Sequence, residues 1–352
     1  MAVEFDNPVR DPDYYLREAN LVESKFEGKA AAIIGQEWSR EAFLNLYHGY
    51  TTNDQGERDK KLPRYMHPDR RGAFDITFNL PKCVSITKEL GTDSRIGDVL
   101  TKARNAAMKE VERQVDVRSP FIKSGNLVWT AFRHAASRAG DPHVHDHVVV
   151  FNLSRDPIKR SWKAIELRYI DRERIGEIYR DETIKGLNEL GYKTRRVGRE
   201  FEIVGVPAEV KAMFSSRHQD IDAREKEYEA GAHEFRKKKA VEKGMSPEAA
   251  ERMPAKRVSA KAKQKLSVYD RPDKSPDMPL EDRRKGWLAQ MTDHQRRAVK
   301  AVVKKARDTV WERTDLARWK DRIAGYASKL RSHAMFHEQE TLERSRDHGR
   351  TR

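Results

Sequence analysis

Two segments of this chain fix what it can build: one alternates strictly, and the other sets three histidines at alternate positions. Phe74–Leu80 reads FDITFNL and His143–Asn152 reads HVHDHVVVFN. In the first, Phe74, Ile76, Phe78 and Leu80 share one face, and Asp75, Thr77 and Asn79 share the other, which is the period of a strand. Pro81 stops it. This pattern puts Asp75 on the side away from the core. In the second, His143, His145 and His147 emerge together on one face. Asn126–His134 (NLVWTAFRH) is a third strand, and a short connection containing Gly140 and Pro142 joins it to the histidine strand. So short a link predicts an antiparallel neighbour pair.

Helical spacing interrupts the strands. Ile96, Val99, Leu100, Ala103, Ala107 and Val111 predict a helix over 95–116, with Ser94 as its N-cap. Glu41–Tyr47 and Ile175–Leu190 are also predicted helical, the latter closed by Gly191. Lys193–Val204 reads as two strands turning at Val197–Gly198, and 50–72 as a long polar loop.

Charge divides the chain. Of the net +15, residues 231–352 carry +14, from 32 Lys and Arg against 18 Asp and Glu; residues 1–230 carry only +1. We therefore expect a body over 1–230 and a basic, mostly helical extension over 231–352. Pro247, Pro254, Pro272, Pro276 and Pro279 mark a linker at 245–280, and a last helix is expected over 292–331. A basic tail calls for a polyanionic partner such as nucleic acid, or is simply a solvated extension. The single cysteine, Cys83, excludes a disulfide scaffold and a Cys-based zinc cluster. No apolar run approaches the ~18 residues of a membrane span, and the first ten residues lack the pattern of a signal peptide. A soluble, cytoplasmic protein is expected.

His145 and His147 can reach one ion together, and His134, at the end of the preceding strand, can close a three-nitrogen site. Neutral imidazoles suit a divalent metal and leave coordination positions open for substrate. The plainer alternative is a row of ordinary sheet-face histidines. Asp75 can orient a ligating imidazole through its second nitrogen, or accept a proton. His143 shares the face, either as an alternative third ligand or as a polar neighbour off the ion. Tyr14–Tyr15 offers a phenol, a nucleophile for phosphodiester transfer once a cation or base activates it. The alternative is two aromatics packing an N-terminal helix onto the body.

Together these residues resemble a family. GAFDITFNLPKCVSI (Gly72–Ile86) is similar to the acidic-residue block of TrwC/TraI-type (MOB-F) conjugative relaxases, close to G-x-D-L-T-F-S-A-P-K-S-V-S. SGNLVWTAFRHAASRAGDPHVHDHVVVFN (Ser124–Asn152) resembles their metal block. Trp162–Ile165, Ile178–Arg180, Leu190–Tyr192 and Gly205–Pro207 follow in family order, so the likeness spans roughly 10–220. The resemblance implies an α+β fold, the HUH endonuclease architecture: a central antiparallel sheet flanked by helices, with the ligands on central strands. By position, His134, His145 and His147 match the metal ligands, Asp75 the acidic residue, and Tyr14, the first of the pair, the nucleophile, with Tyr15 as its alternative. That tyrosine attacks single-stranded DNA at an origin of transfer, leaving a 5′-phosphotyrosyl link and a free 3′-OH. The implied cofactor is one divalent ion, Mg²⁺ or Mn²⁺ first, with Zn²⁺ or Ni²⁺ as alternatives. The implied partners are origin DNA, accessory proteins of the transfer complex and a coupling protein, with no membrane insertion.

The match has departures. His143 stands for the family's Gln and Cys83 for its Ser, and one Tyr pair is present where many relatives have two. Phe26–Lys29 resembles the family's W-x-G-K segment. No G-x-x-x-x-G-K-[ST] phosphate loop occurs, so no ATPase activity is expected of these residues. Lys82, Arg133 and Arg138 flank the expected site as candidate DNA contacts. Two other readings are another HUH nuclease (a rolling-circle initiator or transposase), using Tyr169, Tyr179 or Tyr192, and a non-catalytic DNA-binding protein.

Overall fold

The computed structural model describes residues 3–18, 25–62, 71–118, 122–255, 257, 259 and 278–348. Of the segments discussed above, 63–70 of the polar loop and 256, 258 and 260–277 of the linker lie outside the described residues.

The alternating segments form the middle of a four-stranded antiparallel sheet. Its spatial order is Val3–Pro8, Ala73–Asn79, Pro142–Phe151, Trp129–Ala136. On one face Phe74, Ile76, Phe78, Val144, Val148 and Val150 enter the main core, with Ile96, Leu100, Ala107, Ile175 and Tyr179 from helices Arg95–Gln114 and Arg172–Glu189. Burial of this apolar surface is the dominant favourable contribution to folding.

The opposite face corrects one expectation. It does not point away from a core, because a second apolar layer covers it. Val9, Tyr15, Leu16, Phe43 and Leu46 pack there against Phe132, Val149 and Phe151. Asp75 is consequently only 5% exposed. A carboxylate buried that deeply must find donors, and those donors build the site described below.

Other differences have local causes. Val3–Pro8 is an edge strand in which Val3 and Phe5 are buried in alternation, too short a pattern to read. Part of the expected polar loop forms a hairpin, Tyr50–Thr52 with Arg58–Lys61, whose second strand is exposed throughout and so has no apolar period. Pro81 does end its strand, but it also leads directly into helix Lys82–Glu89, since proline's fixed φ suits a helix start. Ser94 makes no side-chain cap. Asp93 takes that place, accepting from Arg95 N at 3.3 Å and from its guanidinium at 2.8 and 2.6 Å.

The basic third begins with helix Ser216–Glu242, none of whose described side chains is buried. Leu280–Gln290 and the start of Asp293–His348 behave differently. Trp287, Met291, Val299 and Ala306 join the main core, and Arg284 pairs with buried Glu89 at 2.6 Å. Among the described residues, no helix is long and apolar enough to cross a membrane.

Candidate metal and catalytic site

Sheet register assembles the site. His134 opposes His145, and Phe132 opposes His147. On the other side Thr77 opposes His147, and Asn79 opposes His145. Directly opposed residues share a face, so three imidazoles and the polar residues of FDITFNL collect on one side of the sheet. The pairing register shifts between His134 and Ala136.

One ring nitrogen from each of His134, His145 and His147 lies within 4.8 Å of the others. Their ring centroids are 5.0–5.4 Å apart. Two of the rings have their tautomers set. His145 Nδ1 donates to His143 O at 2.8 Å, and His147 Nδ1 donates to Asp75 Oδ2 at 2.8 Å. A proton held at Nδ1 leaves the Nε2 lone pair for an ion. Burial, then neighbouring His147, pushes His145 down to about 4, so its ring stays in the neutral, ligating form. The donor set therefore fits a divalent cation with open positions.

Asp75 is the hub. Its Oδ2 accepts from His147 and also from the Tyr15 hydroxyl at 3.1 Å, while Thr77 Oγ1 lies 3.4 Å from Oδ1. Tyr14 and Tyr15 share the short helix Asp13–Glu18, tied to the body by an Asp13–Arg40 ion pair at 2.5 Å. Tyr15 is buried. Its burial, and then the Asp75 charge, raise its pKa far above that of a free phenol. Tyr14 is half-buried, and its ring lies 6.0 Å from those of both His134 and His147. The two phenols thus differ in environment: Tyr15, its ring 5.5 Å from that of His147, is locked to a carboxylate, whereas Tyr14 lies against both His134 and His147.

The remaining expected residues fall elsewhere. His143 lies beside the triad, stacked on His145 at 5.0 Å, with Nε2 3.3 Å from Asn79 Oδ1. Lys82 donates to Pro142 O at 3.0 Å and is pushed down to about 8 by burial. Arg133 is on the opposite face of the sheet, where it grips Asp146 at 2.7 and 2.8 Å and donates to Gly97 O. Arg104 joins that carboxylate at 3.1 Å. Arg133 therefore braces the sheet from behind the histidines. Arg138 is exposed on the turn joining the two histidine strands. Tyr179 and Tyr192 are buried on the helix side, Tyr192 bonded to Asp93 at 2.6 Å, while Tyr169 is exposed. Thr77 was missed as a site residue, although it shares the polar face with Asp75.

A sequence model of the TrwC relaxase family matches residues 3–294. The chain belongs to the TrwC relaxase family. Among relatives, the multifunctional conjugation protein TraI of Escherichia coli is 31% identical over 260 residues, covering 66% of this chain and 14% of TraI. TraI of E. coli strain K12 is 30% identical over 260 residues, with the same coverage. The chain thus spans about a seventh of the length of these relatives. Solved TrwC structures share its fold. A metal-bound TrwC relaxase in complex with oriT DNA aligns with TM-score 0.63 at 22% identity, covering 86% of this chain and 98% of that one. TrwC complexed with a 27-mer comprising the recognition hairpin and the cleavage site gives 0.61 at 22% identity, with the same coverage.

Proposed function

We propose that this chain is a conjugative relaxase, which nicks and rejoins one strand of single-stranded DNA at an origin of transfer. The observation that carries the reading is the approach of Tyr14 to the ring cluster of His134 and His147, 6.0 Å between centroids, at a site whose nitrogens converge within 4.8 Å.

His134, His145 and His147 would hold a divalent ion, Mg²⁺ or Mn²⁺ for preference, which would supply positive charge to offset that on a non-bridging phosphate oxygen. Tyr14 Oη attacks the scissile phosphorus. The Oη–P bond forms, the P–O3′ bond breaks, and the 3′ oxygen leaves as a hydroxyl, the proton it takes up balancing the one that the Tyr14 hydroxyl gives up. The product is a 5′-phosphotyrosyl link, which the 3′-OH reverses in rejoining. The diester conserves the bond, so no external energy source is needed. Asp75 keeps His147 oriented, and Tyr15, bonded to the same carboxylate, is its support and not the attacking group. We assign the chain to the cytoplasm, acting with accessory proteins and a coupling protein of the transfer complex.

The test is incubation with a single-stranded origin oligonucleotide and Mn²⁺, followed by mapping of the adducted residue by mass spectrometry. Tyr14→Phe should abolish the adduct and Tyr15→Phe should retain it. An adduct that survives Tyr14→Phe refutes the assignment of Tyr14, and one that survives the double variant refutes this tyrosine pair altogether.

A further inference from the structure

The far end of the ligand hairpin is held at three consecutive residues. Trp287 Nε1, from helix Leu280–Gln290, donates to Gly140 O at 2.7 Å. Asp141 accepts from both the backbone N and the Oγ of Ser216, each at 3.0 Å. Lys82 Nζ donates to Pro142 O. Trp287 is 4% exposed and Asp141 8%. Within the turn, Ser137 N donates to Asp141 O at 2.9 Å, and Asp141 N donates to Ser137 Oγ at 3.2 Å.

These contacts matter because of the register beyond them. Ala136 opposes Pro142, but His134 opposes His145, so the histidine strand carries one extra residue between those pairs. Without that bulge, the pairing set by Ala136 and Pro142 would put His134 opposite Val144. Val144 belongs to the helix-side core. A one-residue slip sends a whole side-chain set to the other face of a sheet, so His134 could not then share a face with His145 and His147. Six consecutive pairs, Trp129–Val150 through His134–His145, set the present face of His134, and the irregularity lets the different register of the turn coexist with them.

We propose that Trp287 and the Asp141–Ser216 pair are positioning residues for the histidine site. They clamp the 137–142 turn so that the bulge is retained and His134 keeps facing its two partners. None of the three belongs to the ligand group. Both anchors come from the basic C-terminal third or its threshold, so these two contacts, and not the packing of that third in general, are coupled to ligand geometry. The inference rests on reading the triad as an ion site.

The test uses the full chain without DNA. Mn²⁺ affinity is measured by calorimetry, metal-free melting by circular dichroism, and amide exchange over 134–145 by mass spectrometry. Trp287→Phe and Asp141→Ala should each weaken Mn²⁺ binding by about tenfold, the lower end of what supporting partners of ligands contribute. Both should also speed exchange across the hairpin. Ser216→Ala, which keeps the backbone donor, is the milder substitute if Asp141→Ala does not fold. Arg284→Met is the structural control: it breaks the pair with Glu89 on the same helix as Trp287, lowering the melting temperature without altering Mn²⁺ affinity. The proposal fails if the turn variants bind Mn²⁺ like wild type, or if Arg284→Met weakens binding as much as they do. A wild-type chain that binds no Mn²⁺ would strike the ion-site reading instead. Exchange over the hairpin would then decide the clamp alone: faster exchange in the turn variants but not in Arg284→Met supports it, and unchanged exchange overturns it.

Discussion

Asp75→Asn separates charge from shape at the hub of the site. The amide is isosteric with the carboxylate. With its oxygen placed where Oδ2 now lies, it can still accept from His147 Nδ1 and from Tyr15, whose present distances are 2.8 and 3.1 Å. Its NH₂ then faces Thr77 Oγ1, now 3.4 Å from Oδ1, which can accept. All three contacts survive, and the fold should too. What is lost is the negative charge. Hydrogen bonds to charged groups contribute about 1.5–3 kcal/mol and neutral ones about 0.5–1.5, so the contact to His147 weakens by roughly 1–2 kcal/mol. An ion on the far nitrogen of that ring makes the imidazole a stronger donor, so the deficit should appear in metal affinity as a loss of about 5- to 30-fold, overlapping the range for such partners. Calorimetric titration with Mn²⁺ reads this directly, with circular dichroism to confirm that the variant is folded. Folded Asp75→Asn protein that binds Mn²⁺ as tightly as wild type would refute the reasoning.

Other outcomes follow from the same geometry. Asp146 is 1% exposed and holds both Arg133 and Arg104; Asp146→Asn leaves two guanidinium groups undercompensated and should cost about 3 kcal/mol or more by thermal or urea unfolding. Gly28 has φ +93°, and a Cβ there would lie 2.4 Å from Leu127 O, so Gly28→Ala should cost about 2 kcal/mol or more in the same assay. Lys82 titrates at about 8 when folded, against 10.5 as its ordinary value. Between those values the unfolded chain binds more protons, so stability should rise with pH across that window; Lys82→Met should flatten the rise in unfolding curves taken from pH 7.5 to 10.5. Chelation should abolish adduct formation, and added Mn²⁺ should restore it.

What could be read from the sequence follows from where the signal is strong. FDITFNL and HVHDHVVVFN lie in the sheet centre, where one face is apolar and the other carries Asp75, Thr77 and the histidines, so both strands and the convergence of three imidazoles were legible. Helix 95–116 was legible because its buried stripe is long. The edge strand Val3–Pro8 and the exposed hairpin at 50–61 bury too little to leave a period. The placement of Arg133 is a different matter, because the signal was present. Arg133 and His134 are adjacent on one strand, so they must point to opposite faces, and proximity in sequence was no guide to proximity in the site. The same alternation puts Asp146 behind His145 and His147. The differing environments of Tyr14 and Tyr15 could not be read from their adjacency, since they depend on a carboxylate sixty positions away. The grip of Trp287 on Gly140 is likewise a contact across 147 positions.

The hairpin also bears on the order in which the pocket can come together during folding. His134 and His145 meet across a single turn, whereas Tyr15 reaches Asp75 only by closing a loop of 60 residues. On loop-closure entropy alone, the longer closure costs about 1.5 kcal/mol more than one of about eleven residues, and slow steps in folding follow distant pairings. The imidazole cradle should therefore exist before the phenols arrive, giving the nascent protein an ion-binding stage with no chemistry attached.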